Sequence, residues 1–403
     1  MKRRHVLALV AGTTASSGCL RLTGGGSTTT DPSTPEESPT ASETPADDTP
    51  PEEGDSEVTL TERWTDENGV DNVWTADGTF YYNDYNYAAE ASHGDGVTWS
   101  DDTTYDGGDT NFGADAFAAD DRYAVFGYTP EDPEGSDPSG AHFHAYRRYD
   151  GEEAWVVSAP SDGVHKLAVG ATMVGDTVVL AVSDYGGGNT GQPLVYGVDV
   201  ETGDIRWETD QSVLPAQLIR YVDSYDGDVY VGVGGTQVLA GETGELIETH
   251  GSWYASSYRL RSLGRIHSET MFACATSFSR VAAHPLGENG LSWSNDGFES
   301  TFTSMCVDNS LVVVGTQAGE VYALERGSGE TRWDVTIPNS VGGIETTGTR
   351  VWVGDSETGL TAYDRETGSV VHRSVKPVNG DDIGVIGDVL LLGGDTATAY
   401  TID

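Results

Sequence analysis

Two short segments combine residue types that could hold a metal ion. The segment 66–72 (DENGVDN) has the side-chain oxygens and the glycine of a calcium loop, but it lacks the twelve-residue spacing and the terminal Glu. His142 and His144 lie two residues apart, so on a strand both side chains would point to one face. Two ligands do not make a metal site. We therefore expect a solvated turn at 66–72 and a histidine pair that is either bonded within the fold or exposed.

Other chemistry-bearing motifs are incomplete or absent. Gly186, Gly188 and Gly191 match G-x-G-x-x-G, but Pro193 and a further strand follow where a phosphate-binding helix would have to begin. The sequence contains no G-x-S-x-G, H-E-x-x-H or C-x-x-C pattern. Cys274 and Cys306 are isolated in apolar runs, which predicts small core residues, with a disulfide between neighbouring structural units as the alternative. We predict no catalytic, cofactor-binding or metal-binding residues.

The N-terminus carries a different kind of chemistry, the attachment of lipid. Arg3 and Arg4 precede the apolar run 6–10, and small residues lead to Cys19. This order resembles a twin-arginine lipoprotein signal, although Ser16 and Ser17 depart from the usual Leu-Ala-Gly form; the resemblance implies cleavage before Cys19 and lipid on its thiol. The apolar run is too short to span a bilayer. We expect a signal peptide over 1–18 and a protein anchored by lipid on the extracytoplasmic face of the cell membrane.

The residues after Cys19 cannot build a core. Of the 35 residues from 23 to 57, 19 are Ser, Thr or Pro and 10 are Asp or Glu, with no basic residue and no apolar residue larger than Ala. Such a composition remains unfolded because it has too little apolar surface to bury. We expect residues 19–57 to form a disordered, self-repelling tether, and residues 58–403 to form the folded domain.

The charge of the chain limits its partners. The chain has 21 Lys and Arg against 65 Asp and Glu, a formal net charge of −44, and only three of the bases are lysine. Such a surface stays hydrated in concentrated salt, where charge repulsion is screened, and the composition resembles that of proteins from salt-adapted archaea. A strongly negative molecule does not favour nucleic acid as a partner.

An internal repeat predicts the fold. The clearest unit, 304–333, consists of β-branched and apolar runs bounded by Gly, Asp and Asn, which is typical of consecutive hairpins. The same ending recurs: Gly203 leads to Trp207, Gly329 to Trp333 and Gly368 to His372, each four residues later. The turn glycines are spaced 39 to 55 residues apart along the chain. A period near forty with about four strands predicts the blades of an all-β propeller.

These endings resemble the A-x-D-x-x-T-G-x-x-x-W motif of the pyrroloquinoline quinone (PQQ) type repeat family over most of 58–403. We expect the motif residues to be structural: the Asp bonds the amides of the turn, the Gly takes a positive φ, and the Trp fills the gap between adjacent blades. The structural motif residues that we predict are Asp199, Thr202, Gly203, Trp207, Gly329, Trp333, Asp364, Thr367, Gly368 and, in the first strand, Trp64.

The two ends of the repeat region predict closure of the ring. The chain stops at 399–403 (AYTID), the first half of a motif, and the missing half is the orphan strand 58–64 (VTLTERW) at the start. Pairing of these segments would remove both open sheet edges. Seven intact blades and one split blade make eight, with seven blades as the alternative.

The resemblance leaves two main functions open. PQQ dehydrogenases need a calcium ion, an Asp base, an adjacent cysteine pair and long capping loops, and no Asp in this chain matches the catalytic one. We expect a non-catalytic scaffold without a cofactor, a monomeric ring that binds an unidentified protein or ligand at the cell surface. In layout it resembles the lipid-anchored propellers of bacterial outer-membrane assembly. A PQQ- or calcium-dependent quinoprotein dehydrogenase and a small-molecule or polysaccharide sensor are the alternatives.

Two regions of the sequence could form the binding face. Aromatic residues are densest at 74–87, where those that face outward would offer a contact surface; they are Trp74, Tyr81, Tyr82, Tyr85 and Tyr87. The connections 103–111 and 129–140 exceed ordinary hairpin turns and could border such a surface.

Overall fold

The computed structural model describes most of the region after residue 57. It describes residues 20–21, 58–70, 72–84, 87–102, 112–129, 140–159, 165–185, 193–209, 212–215, 218–233, 235–250, 262–275, 279–288, 290–355, 359–374 and 383–403. These residues form strands and turns, and none of them belongs to an α-helix. Consequently, no helix in these ranges has the length and apolar character that a membrane span requires.

The strands are short and follow one another closely. The first eighteen are β1 (Leu20–Arg21), β2 (Leu60–Asp66), β3 (Asn72–Ala76), β4 (Thr79–Asp84), β5 (Tyr87–Ser92), β6 (Gly96–Asp102), β7 (Phe112–Ala119), β8 (Tyr123–Thr129), β9 (Ala141–Arg147), β10 (Glu153–Ala159), β11 (His165–Val174), β12 (Thr177–Tyr185), β13 (Leu194–Asp199), β14 (Ile205–Thr209), β15 (Tyr221–Tyr225), β16 (Asp228–Gly232), β17 (Thr236–Ala240) and β18 (Leu246–His250). The remaining strands are β19 (Ser262–His267), β20 (Thr270–Ala275), β21 (Arg280–Pro285), β22 (Trp293–Asn295), β23 (Phe302–Val307), β24 (Leu311–Thr316), β25 (Glu320–Glu325), β26 (Thr331–Thr336), β27 (Val341–Thr346), β28 (Arg350–Asp355), β29 (Gly359–Asp364), β30 (Val370–Arg373), β31 (Ile383–Ile386), β32 (Val389–Leu392) and β33 (Ala397–Ile402).

The strands form eight antiparallel sheets, which are the blades of a propeller. Blades 1 to 7 each take four consecutive strands, from β3–β6 for blade 1 to β27–β30 for blade 7. Blade 8 combines β31, β32 and β33 with the N-terminal strand β2. The short β1 pairs with the first strand of blade 6, β23. The prediction of an all-β, eight-bladed propeller is confirmed.

Local sequence explains why each blade forms. The central strand β24 (LVVVGT) is buried along its whole length because neighbouring blades cover both of its faces. The turn before β24 is fixed by Asp308, whose Oδ1 accepts hydrogen bonds from the amides of Ser310 (2.8 Å) and Leu311 (2.9 Å). Outer strands such as β10 instead alternate buried and exposed residues. The hydrophobic core therefore lies between blades and extends around the ring.

Closure occurs where the sequence predicts it. Strand β2 pairs antiparallel with β33, and Trp64 lies opposite Ala399. Beyond the ladder, the Thr59 amide donates to the Asp403 carbonyl (3.2 Å) and the Asp403 amide donates to the Thr59 carbonyl (2.9 Å). The first and last strands of the propeller thus share one sheet, which joins blade 8 to blade 1 and seals the ring.

Candidate interaction surface

The motif turn has the predicted hydrogen bonds. In blade 3, Oδ1 of Asp199 accepts from the amides of Glu201 and Thr202, both at 2.9 Å, and Gly203 has φ +77°. In blade 7, Oδ1 of Asp364 accepts a hydrogen bond from the Thr367 amide at 2.9 Å, and Gly368 has φ +71°. The turn is thus fixed by residues within one repeat, with glycine at the position where other residues would be strained.

The tryptophans connect each blade to the next one. The indole N–H of Trp207 donates to the Gly241 carbonyl of blade 4 at 3.0 Å, and its ring packs against Gly244, where an added Cβ would lie 2.4 Å from the ring. Trp155 of blade 2 packs in the same way against Gly203 and donates to the Val200 carbonyl at 2.8 Å. Each motif glycine therefore receives the tryptophan of the preceding blade, and not the tryptophan of its own motif.

This arrangement recurs around most of the ring. Trp293 packs against Gly329, Trp333 against Gly368, and Trp64 of the closing strand against Gly96. We call the contact between two neighbouring blades a seam. In the seam between blades 7 and 8, His372 takes the position of the tryptophan, and its Nδ1 lies 3.0 Å from the Val58 carbonyl. An aromatic side chain thus fills each of these seams near the outer rim.

The seam between blades 4 and 5 lacks this aromatic residue. Glu248 pairs with Val238 beside a β-bulge, as Trp207 pairs with Gly197 beside a β-bulge in blade 3. A carboxylate therefore occupies the position of the tryptophan, and its side chain is 49 % exposed. Two residues farther along β18, His250 contacts His284 of blade 5, with ring centroids 4.8 Å apart. Burial, together with the neighbouring His250, lowers the pKa of His284.

Most residues of strand β18 are exposed. Its first four residues, Leu246 to Thr249, are exposed, and Leu246 and Ile247 retain 43 % and 54 % of their accessible surface. Because β18 is the last strand of the sheet, none of the strands that the structure describes pairs with its outer edge. Among the outer strands that the structure describes, β18 is the one that has two large apolar side chains exposed at adjacent positions.

The exposed apolar residues concentrate on one arc of the ring. Among the described residues, six of the seven large hydrophobic side chains that are exposed belong to blades 1 to 4; they are Val97, Tyr149, Val156, Ile205, Leu246 and Ile247. The seventh, Val370, lies on the outer strand of blade 7. We call these six exposed side chains of blades 1 to 4, which lie on β6, β10, β14 and β18 and in the turn before β10, the apolar arc. Within the apolar arc, Leu246 and Ile247 are the two exposed side chains that are adjacent in one strand.

The local charge on the apolar arc is negative at blade 4. Residues 241–250 contain Glu242, Glu245 and Glu248 and no Lys or Arg. Guanidinium groups join other seams: Arg148 of blade 2 donates to Glu90 of blade 1 at 2.9 Å, and Arg122 of blade 2 donates to Asp176 of blade 3 at 2.9 Å. The carboxylates of 241–250 are thus close to exposed apolar side chains, and the one basic side chain of the segment is His250, whose Nε2 lies 3.8 Å from Glu248.

The calcium-like segment is bonded within the fold. Oδ2 of Asp66 accepts hydrogen bonds from the hydroxyls of Tyr82 (2.8 Å) and Tyr87 (2.6 Å), and Oδ1 accepts from both nitrogens of Asn68. Burial and the Asp66 carboxylate raise the pKa of Tyr87 to about 12, so its hydroxyl remains a donor. Asp66 therefore joins the closing strand to blade 1, and Asp71 lies outside the described residues.

The histidine pair is also bonded to its own blade. His142 and His144 lie on β9, two residues apart, and their Nδ1 atoms are 2.7 Å from Ser158 Oγ and 2.8 Å from Glu153 Oε2 on β10. Burial lowers the pKa of His142 to about 4, which favours its neutral form at neutral pH. Within the described ranges, no three His, Cys, Asp or Glu side chains converge as metal ligands would.

The two cysteines belong to different seams. Cys274 is buried with its Sγ 3.5 Å from Met305 Sδ, whereas Cys306, the residue after Met305, has its Sγ 3.7 Å from Thr346 Oγ1 of blade 7. Successive residues of a strand point to opposite faces, so Cys274 and Cys306 do not meet. Neither thiol forms a disulfide, so the alternative of a disulfide is wrong.

The aromatic segment turns inward. Tyr81 and Tyr82 are fully buried and Tyr87 is nearly so, while Trp74 stacks on Phe117 with ring centroids 5.0 Å apart. Tyr81, Tyr82 and Tyr87 are therefore core residues and Trp74 is partly buried, because the first blades use aromatic side chains to fill their seams. Cys19, Tyr85, the glycines of 186–191 and most of the two long connections lie outside the described residues.

Sequence reasoning missed the apolar arc. Leu246 and Ile247 read as ordinary strand residues, and a pair of apolar residues in a strand favours burial on both faces. The one available signal was the Glu at position 248, where other repeats have an aromatic residue.

Comparison with known proteins agrees with this architecture. Residues 87–335 and 303–399 match the family model described as outer membrane protein assembly factor BamB. The crystal structure of BamB from Moraxella catarrhalis superposes with a TM-score of 0.60 at 16 % identity, covering 85 % of this chain and 100 % of that chain. Quinohemoprotein alcohol dehydrogenase ADHIIG from Pseudomonas putida HK5 gives 0.62 at 12 % identity, covering 86 % of this chain and 76 % of that chain. A search of curated proteins finds no match.

Proposed function

We propose, from the premise that this chain belongs to the PQQ-type repeat family described as outer membrane protein assembly factor BamB, that it is a non-catalytic scaffold that docks other proteins. The family description names an assembly factor, a protein that works in contact with others. We transfer the docking of proteins from that description, and not the outer membrane. Since propellers with the same fold include dehydrogenases, the proposal has to rest on the surface of this chain.

The observation that carries the proposal is the apolar arc. Six exposed large apolar side chains lie on four consecutive blades of a chain with a formal net charge of −44. The exposed surface of these side chains adds no stability to the isolated ring. Its burial against a partner would contribute about 25 cal/mol to the free energy of binding for each Å² of apolar surface. The rigid eight-bladed ring keeps these side chains at fixed positions, which reduces the entropy lost on binding.

The proposal includes a location. The segment with Arg3, Arg4 and Cys19 supports export and a lipid anchor on the extracytoplasmic face of the cell membrane. The residues from 23 to 57 would then act as a spacer between the membrane and the ring. Cys19→Ser tests the anchor: we expect the variant to leave the membrane fraction and to lose the mass of the lipid, and an unchanged distribution would contradict the anchor.

Site-specific photo-crosslinking in intact cells tests the docking function. We would place p-benzoylphenylalanine separately at Val97, Val156, Ile205 and Ile247, and at Val370 as the matched exposed apolar position outside the apolar arc. The expected result is a discrete protein adduct from positions in the arc and a weaker or absent adduct from position 370. Absence of adducts from all four arc positions would overturn the proposal.

The quinoprotein alternative has its own measurement. Purified protein mixed with PQQ and calcium would be followed by absorbance and by dye reduction with sugars and alcohols. Saturable cofactor binding with turnover would replace the scaffold by an enzyme. We expect neither, because no three potential metal ligands converge in the described ranges and no Asp matches the catalytic residue of the dehydrogenases.

A further inference from the structure

The outer strand of blade 4 differs from the other outer strands in how it is held. Strand β18 lacks the tryptophan that ties the neighbouring outer strand β14 to the next blade through Trp207. Leu246 and Ile247 are exposed, and Thr249, also exposed, bonds Gln237 of the adjacent strand at 2.7 Å. The strand is therefore ordered by its own sheet, its residues Leu246 to Thr249 are exposed, and no strand of the described ranges pairs with its outer edge.

We propose that β18 is an edge for β-strand addition, and that its occupant is an extended segment of a partner protein in which basic and apolar residues alternate. This inference rests on the proposed docking function and names the class of segment that is docked. Strand addition takes most of its affinity from main-chain hydrogen bonds and its specificity from alternate side chains. Exposed apolar residues on β18 supply such side-chain contacts.

Charge decides which extended segment fits. Within 241–250 there is no Lys or Arg, and His250 Nε2 lies 3.8 Å from Glu248. A cationic segment therefore gains electrostatic attraction to the three carboxylates of Glu242, Glu245 and Glu248. An acidic segment is repelled. A second copy of this chain is disfavoured for the same reason, because antiparallel pairing of β18 with itself would bring two sets of the same carboxylates together.

A peptide assay with purified full-length protein tests the inference. The probe is a fluorescent eight-residue peptide of alternating Arg and Val, and the controls are the same peptide with every backbone N–H methylated and an alternating Glu and Val peptide. We expect the first to bind and each control to bind at least about tenfold more weakly, since one loses its main-chain donors and the other its charge. Equal binding of the methylated peptide would show attraction by charge alone and would overturn the inference.

A matched pair of variants locates the binding. Ile247→Lys removes an exposed apolar contact on β18 and adds a positive charge that repels the arginines of the peptide. We expect about tenfold weaker binding of the Arg–Val peptide. Val370→Lys makes the same change on blade 7, where the exposed fraction is 48 %, and we expect binding within about twofold of the parent protein. Amide exchange at 246–250 should slow when the peptide binds, and unchanged exchange would contradict strand addition.

The cell-based crosslinks separate this inference from the broader function. Adducts at Val97, Val156 or Ile205 without an adduct at Ile247 would leave the scaffold standing and overturn strand addition at β18. Sedimentation that shows a dimer lost in Ile247→Lys would make a second copy the occupant and would also overturn it. An adduct at position 247 whose crosslinked peptide is extended and basic is the supporting result.

Discussion

Two neighbouring seams differ in the residue that packs at the outer rim: the seam between blades 3 and 4 and the seam between blades 4 and 5. In the first, Trp207 is 9 % exposed, donates to Gly241 and packs against Gly244. In the second, Glu248 takes the equivalent position, and His250 and His284 make the outer contact. One aromatic residue closes the outer rim of the first seam, whereas a half-exposed carboxylate stands at that position in the second.

The second seam is nevertheless well bonded near the axis of the ring. Oδ2 of Asp223 in blade 4 accepts from the Ile266 amide of blade 5 at 2.8 Å, and the Tyr221 hydroxyl lies 3.1 Å from Met271 Sδ. The difference between the two seams is therefore confined to the outer rim. The comparison teaches that this propeller can expose one outer strand without loss of the ring, because the inner strands hold the blades together.

The largest expected effect is the loss of the tryptophan. Trp207→Ala should lower the free energy of unfolding by about 3–5 kcal/mol, because it removes a buried indole and its hydrogen bond and leaves a cavity. Glu248→Ala, at the equivalent position of blade 4, should change it by no more than about 0.5 kcal/mol. Chemical denaturation of both variants provides the measurement. Equal losses would mean that the two seams do not differ as described.

The next effect concerns the glycine that receives the tryptophan. Gly244→Ala should cost about 3 kcal/mol, since its φ is +68° and a Cβ would lie 2.4 Å from the Trp207 ring. Gly227→Ala in the same blade is the control: its φ is +88°, but no atom lies within 4 Å of an added Cβ, so about 1–2 kcal/mol of backbone strain is expected. Thermal unfolding compares them, and indistinguishable midpoints would refute the packing of Trp207 against Gly244.

A smaller effect is pH dependence at the seam between blades 4 and 5. The pKa of His284 lies below its ordinary 6.5, so the unfolded chain takes up the proton first as the pH falls. His284 should therefore reduce stability progressively below pH 6.5, down to its folded pKa, and should have no such effect above pH 6.5. His284→Gln should lose less stability than the parent protein between pH 7 and 5 in urea titrations. Parallel pH profiles would contradict this contribution.

The smallest expected effect is on stability at the open strand. Ile247→Lys should leave the free energy of unfolding within about 0.5 kcal/mol of the parent value, because the side chain is more than half exposed. Circular dichroism and thermal unfolding check this. A large loss would show that Ile247 supports the fold, and the comparison of the seams would then need a different explanation for its exposure.

Much of the fold was predictable because it is determined by interactions within single repeats. Asp199, Thr202 and Gly203 fix their turn through contacts that span five residues, and such local chemistry repeats with a visible period. Closure by β2 was predictable because the chain ends hold complementary halves of one motif. The eight-bladed ring follows from these two regularities.

The tertiary structure alone decided which repeats touch. Gly203 receives Trp155 from the preceding blade, although its own motif supplies Trp207, and Cys306 faces a different seam from Cys274. The seam between blades 4 and 5 likewise has Glu248, on β18 itself, at the position that a tryptophan occupies in blade 3. Turns depend on residues that are adjacent in sequence, whereas seams depend on side chains about forty residues apart whose meeting is set by the rotation from one blade to the next.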